Sequence, residues 1–195
     1  VAVALPVVPA PVFVEEKSLL LVATGCLGGE GHTHDLEEQA CGDGYTADTP
    51  TAGLVAAAMS RRTSFDRIAL QVAHASAATP VVDVRLTPGR SSVSDVTLAR
   101  QLSYGALSPS PPFTGLGRGD LGAPEDIAVH AYDPVEGNRL ASVPMREILA
   151  NSDLVATSLT NGRGFVLVAV GAAPGTTERG GFWRPHTYTL LWADP

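Results

Sequence analysis

Five histidines, two cysteines and 20 acidic residues are the side chains here with the chemistry to ligate metal, cross-link or move protons. The densest grouping is His32-Thr33-His34-Asp35, followed closely by Glu37 and Glu38. Alternating imidazoles can give two ligands to a tetrahedral ion, which needs three or four N, S or O donors. The loop has no third histidine, and its spacing matches no established zinc finger. His32, His34 and Asp35 are therefore weak metal candidates, and the expectation is a solvated acidic loop without cofactor.

Cys26 and Cys41 lie in a stretch dense in glycine and polar residues. An even count, local spacing and loop surroundings favour a disulfide made in an oxidising compartment. Closing a loop of about 16 residues stabilises a fold by about 3 kcal/mol on the chain-entropy view. Two other readings stay open: a pair of free thiols, or lipidation of Cys26. Val22-Ala23-Thr24-Gly25-Cys26 resembles a lipoprotein cleavage site, and cleavage there would leave Cys41 unpaired.

His74 and His130 are each flanked by alanine and valine inside strand-like segments, the setting of buried, hydrogen-bonded histidines. His186 lies among Trp183, Arg184 and Tyr188, with Trp192 close behind, a group that makes either a binding patch or part of a core. Aromatics with arginine are the usual anchors of interfaces. Gly117, Gly119 and Gly122 match the glycine spacing of a dinucleotide loop, which needs a strand before it and a helix after it. Pro111-Pro112 precede and Ala123-Pro124 follow, so the match is read as accidental. The aspartates 83, 95, 120, 126, 133 and 153 are dispersed over turns and strand ends. No nucleophile elbow, phosphate loop or His-Glu-x-x-His is present, so no catalytic residue is expected.

The elements that must position these residues are short. The 20 glycines and 15 prolines in 195 residues exceed the usual combined share of about 12%. Apolar residues alternate over 67–74 and 81–86, and strand-like runs recur at 98–104, 127–132, 139–142, 154–159, 164–170 and 187–192. Asp133 to Gly137 reads as a hairpin turn, and Asn161-Gly162 as another between 154–159 and 164–170. Pro144 opens a helix of one or two turns through Leu149. Residues 54–62 fit helix or strand equally. Many short strands with turns between them and no crossover helices predict an all-β, antiparallel, immunoglobulin-like β-sandwich with short helices.

Residues 1–14 are apolar and carry Pro6, Pro9 and Pro11, which forbid a helix and a central strand. They predict an extended N-terminal arm whose Val1, Val3, Leu5, Val7, Val12 and Phe13 must be covered by something. The expected organisation is an arm and strand at 1–24, a disulfide-containing loop region at 25–65, and a sandwich at 66–195. The chain opens at Val1 rather than Met, which fits either a removed signal peptide or a piece of a longer protein. A net charge of −7 argues against nucleic acid and anionic membrane as partners. The longest apolar runs fall short of the 18 or more residues that span a bilayer, so no membrane insertion is expected.

Val72-Ala73-His74-Ala75-Ser76, followed by Pro80-Val81-Val82-Asp83-Val84, resembles the opening of an uncharacterised family of bacterial cell-surface β-sandwich domains. That family opens with His-Ala-Ser-Pro-Asp-Ala-Pro and continues into Val-Asp-Val-Tyr. Its later Leu-x-Tyr-Gly element is matched by Leu102-Ser103-Tyr104-Gly105, and its final strand pair by 164–171. The resemblance covers about residues 66–195 and departs at Ala77-Ala78 and in the Pro/Gly-rich 108–124. Residues 13–25 are similar to the closing strands of such a domain, as in a tandem protein cut within its first repeat. The resemblance implies a β-sandwich at the cell surface and brings no active site. Together these readings predict an exported, extracellular or cell-surface protein that is not an enzyme. It would be a structural or assembly subunit whose partners are copies of itself or other surface proteins. The alternative is an extracellular binding module for a glycan, protein or metal.

Overall fold

Alternation marks a strand with one face in a core and one in water; an unbroken buried run marks a strand covered on both faces. Both kinds occur in the computed structural model. It describes residues 18–28, 41, 44–59, 64–76, 79, 81–108, 114–152, 154–170 and 187–192. Its strands are β1 (Ser18–Thr24), β2 (Gly53–Met59), β3 (Ile68–His74), β4 (Val81–Thr87), β5 (Val96–Ser103), β6 (Leu107–Ser108), β7 (Thr114–Leu116), β8 (Ala128–Tyr132), β9 (Arg139–Pro144), β10 (Gly164–Val170) and β11 (Thr187–Trp192). Two short helices, α1 (Arg118–Leu121) and α2 (Met145–Asn151), and two 3-10 turns, Pro124–Asp126 and Ala156–Ser158, complete the described elements.

The fold is an all-β sandwich. A four-stranded sheet in the order β5-β4-β8-β9 faces a second sheet in the order β11-β10-β3-β6, with β7 also paired to β3. Between them, Ile68, Leu70 and Val72 of β3 and Phe165 and Leu167 of β10 meet Val82, Val84 and Leu86 of β4, Leu98 and Leu102 of β5, and Val129 of β8. Met145, Ile148 and Leu149 of α2 join the same core. β4 alternates between half-buried and buried residues along its length, as its sequence predicts.

Among the described residues the pairings are antiparallel with one exception. β10 runs parallel to β3, from Gly164 opposite Ala69 to Ala169 opposite His74. Parallel neighbours need a long crossover, and here the whole four-stranded sheet provides it. This corrects the expected hairpin at Asn161-Gly162. Residues 154–159 form no strand; Ala156–Ser158 is a 3-10 turn and Val155 is exposed. Gly162 does take a positive φ of 83°, but its N–H donates to the Arg67 carbonyl at 2.7 Å. The turn thus delivers β10 to β3 rather than back onto 154–159. The hairpin at Asp133–Gly137 forms as expected, with the Asp133 N–H on the Asn138 carbonyl and Gly137 at φ 71°.

Residues 53–59, ambiguous by sequence, are a strand. β1 and β2 make an antiparallel ribbon from Ser18 opposite Met59 to Thr24 opposite Gly53. Its Leu20 and Val22 pack on Ala73, Ala75, Val166 and Val168, on the side of β3 and β10 facing away from the core. β3 is therefore buried on both faces throughout. β1 itself is not buried throughout, since Leu21 is 52% exposed.

Cys26 and Cys41 are bonded to each other at the end of the ribbon and pack with buried Tyr45. The Tyr45 hydroxyl donates to the Leu27 carbonyl, and the Thr51 hydroxyl to the Cys41 carbonyl. Gly25 has φ 73°, and a Cβ there would stand 2.2 Å from the Thr51 carbonyl oxygen, so the loop can pass this close only through glycine.

Candidate functional site

Several of the predicted site residues fall outside the described residues: Val1, Val3, Leu5, Val7, Val12 and Phe13 of the arm, His32, His34 and Asp35 of the acidic loop, and Trp183, Arg184 and His186. Tyr188 and Trp192 belong to β11, where the backbone register sets them opposite Ala169 and Phe165 of β10. Gly117 to Gly122 sit where β7 gives way to α1, but α1 is a single turn lying inside the glycine pattern. The next strand, β8, joins the other sheet, so no strand-helix-strand nucleotide unit is built. Among the described residues no three His, Cys, Asp or Glu groups gather as a metal site.

The structure brings the two halves of the quoted motifs together. His74, the last residue of β3, is buried, and its Nε2–H donates to the Thr79 carbonyl at 2.6 Å. Its Nδ1 accepts the Ser76 N–H at 3.4 Å, which fixes a neutral ring with the proton on Nε2. Burial lowers its pKa below the ordinary imidazole value, opposed in part by the bond to Thr79. The ring meets Tyr104 edge to face, with centroids 6.2 Å apart. Gly105, at φ 82°, donates its N–H to the His74 carbonyl, and the His74 N–H goes to Ala106. The Tyr104 hydroxyl bonds the Thr24 hydroxyl and so ties the ribbon to the sandwich. His74 is thus a structural clasp, as its setting predicts.

His130 differs. It is buried and hydrogen-bonded, yet it lies on the outer face of the four-stranded sheet, because Val129 takes the core side. Its Nε2 is 3.1 Å from the Thr87 hydroxyl oxygen, and that hydroxyl donates to Asp95 Oδ1 at 2.8 Å. Nε2 must therefore carry the proton. The hydroxyl proton is already committed to the carboxylate, so the imidazole cannot take it, and no activated nucleophile results. Nδ1 is buried with no hydrogen-bond partner among the described residues; an orphaned buried acceptor costs about 1–3 kcal/mol. Burial first, and the charge of Arg139 second, lower the pKa of His130, while Asp95 raises it.

Around His130 the register assembles a polar array. Arg85 is opposite His130, Asp83 opposite Tyr132, and Arg139 opposite Tyr132 on its other side. The Arg85 guanidinium lies over the Tyr132 ring, 4.7 Å from its centroid, and the Tyr132 ring meets His130 at 6.1 Å. Asp83 Oδ1 accepts the Gln101 N–H at 2.8 Å, where β5 bulges and Gln101 takes φ 46°. Sequence reasoning passed over Arg85, Tyr132 and Arg139. The alternation at 81–86 already placed Asp83 and Arg85 together on the outer side; the hairpin after Tyr132 then carried Arg139 beside it.

No family model, curated protein or solved structure matches this chain.

Proposed function

We propose that the protein is an exported, non-catalytic surface protein that works as a structural or assembly subunit, its N-terminal strand added to a neighbouring copy. The supporting observation is the β1–β2 ribbon. It is a two-stranded sheet whose outer edges have no strand partner among the described residues, and in sequence it comes three residues, Glu15-Glu16-Lys17, after the apolar, proline-punctuated residues 1–14. Open strand edges are templates for another strand, and main-chain hydrogen bonds with alternate side chains in pockets are how such additions bind. A head-to-tail addition of this kind need not close, and so it builds a filament or a repeat array. Pro6, Pro9 and Pro11 suit a strand that uses only part of its N–H groups.

The disulfide supports an oxidising, extracellular setting, and no helix among the described residues is long and apolar enough to cross a membrane. The resemblance of 66–195 to bacterial surface sandwich domains agrees with the same reading. Light scattering on the full chain and on a variant lacking residues 1–14 tests it. The full chain is expected to form large linear species, and the shortened chain folded monomers with the same melting temperature. A full chain that stays monomeric, or a shortened one that assembles equally well, would overturn the reading.

A further inference from the structure

The outer face of the four-stranded sheet collects polar groups that the fold itself does not satisfy. Arg85 is held flat by its contact with Tyr132, yet none of its N–H donors meets a protein acceptor among the described residues. Arg139, across Tyr132 on β9, is exposed and equally without an ion pair there. The Tyr132 hydroxyl makes no hydrogen bond among the described residues either, and His130 beside it keeps its unsatisfied Nδ1. The two carboxylates bordering the array each accept one bond from the fold, Asp83 Oδ1 from the Gln101 N–H and Asp95 Oδ1 from the Thr87 hydroxyl, and keep acceptor capacity on the other oxygen.

We infer that this face is a binding site for a saccharide that carries a single carboxylate, a uronate residue, with Arg85 as its fork. A guanidinium already laid on an aromatic ring is preorganised for two parallel N–H bonds to a planar carboxylate. Arg139 and the Tyr132 hydroxyl then meet the ring hydroxyls. Asp83 and Asp95 at the border accept from further hydroxyls and repel a run of negative charges. The net charge of −7 acts the same way on any polyanion. A ligand with one carboxylate among several hydroxyls satisfies both conditions. An added peptide strand does not suit this face, because β4 and β8 are interior strands with both edges paired. The site stands on residues apart from the N-terminal arm, so it holds whether or not the chain assembles.

NMR titration of the full chain with the methyl glycosides of glucuronate and galacturonate tests the site. Their 6-methyl esters serve as neutral controls, and N-acetylglutamate amide as a peptide-like acid. Saturable shifts at Arg85 and Tyr132 are expected with one or both uronosides and none with the esters, and the amino-acid probe should bind at least about tenfold more weakly. Arg85→Lys, which keeps the charge and loses the fork, should weaken uronoside binding by about tenfold or more at an unchanged melting temperature. Equal binding by Arg85→Lys or by the esters overturns the inference, and so does the absence of saturable binding. Binding of the amino-acid probe as tight as that of the uronosides would make the face a protein-docking surface instead and overturn it too.

Discussion

The two sheets of the sandwich share one core, but their outer faces have opposite fates. Outside β3 and β10 stand Ala73, Ala75, Val166 and Val168, sealed under Leu20 and Val22 of the ribbon. Outside β4 and β8 stand Arg85, His130 and Tyr132, with no strand laid over them among the described residues. The first face is a second, smaller core and belongs to stability. The second is a polar surface whose groups look outward for partners. β3, covered twice, departs from the alternation expected over 67–74, because Ala69, Gln71 and Ala73 are buried as fully as Ile68, Leu70 and Val72; β4, covered once, alternates as Val82-Asp83-Val84-Arg85-Leu86 does.

The comparison is sharpest where the covered face is charged. Val168→Asp would bury a carboxylate against Leu20 and Ala73, and it is expected to destabilise by about 3–5 kcal/mol or to drive the ribbon off. Urea unfolding together with proteolysis near residues 18–59 distinguishes the two. A Val168→Asp protein with wild-type stability would mean that the ribbon does not seal this face. Next in size is the disulfide. Replacing Cys26 and Cys41 together by serine should cost about 3 kcal/mol on the chain-entropy view, read as a lower midpoint in denaturant. Leu20→Ala should follow at about 2 kcal/mol, the low end for a buried leucine, because a ribbon can settle onto the gap better than a closed core can.

The histidine clasp gives the pH dependence. His74 is held below the ordinary imidazole value of 6.5 by burial, so below that pH the unfolded chain takes up a proton that the folded chain refuses. Stability should therefore be level above about pH 6.5 and fall as the pH drops below it, by up to about 1.4 kcal/mol per pH unit for one such group. His74→Gln, which can still donate to the Thr79 carbonyl, should flatten that part of the curve in thermal melts taken from pH 8 to pH 5. The smallest expected effect lies on the open face, where Arg85→Lys should change stability by less than about 0.5 kcal/mol. A large loss there would mean that Arg85 holds the fold together, and the contrast between the two faces would collapse.

Where one face of a strand meets water, the sequence was legible. β4, the Asp133–Gly137 turn, the cysteine pair and the buried His74 were all read from residue types and spacing. The parallel pairing of β10 was not, since Asn161-Gly162 announces a tight turn whatever the turn connects. β2 was ambiguous because a run of alanines carries no period; only its pairing with β1 decides it. His130 is buried and hydrogen-bonded as its apolar neighbours suggest, but Val129 takes the core side and leaves it on the outer face. Arg85, Tyr132 and Arg139 come from three strands, and only the register makes them neighbours. Pairwise register is tertiary information, and no local pattern contains it.

The position of β3 also bears on how the chain comes together in time. β3 has neighbours on both edges and cover on both faces, but its edge partner β10 is made only after the entire four-stranded sheet. Until Gly164 and the residues after it exist, one edge of β3 is unpaired, and the ribbon, made first, has only half a surface to lie on. Contacts so distant along the chain are formed late and make folding slow. Once β10 is in place, β3 is paired along both edges and covered on both faces. Its amides should exchange their hydrogens only when the whole molecule opens, so β3 would report global unfolding while β1 and β2 report the lifting of the ribbon alone.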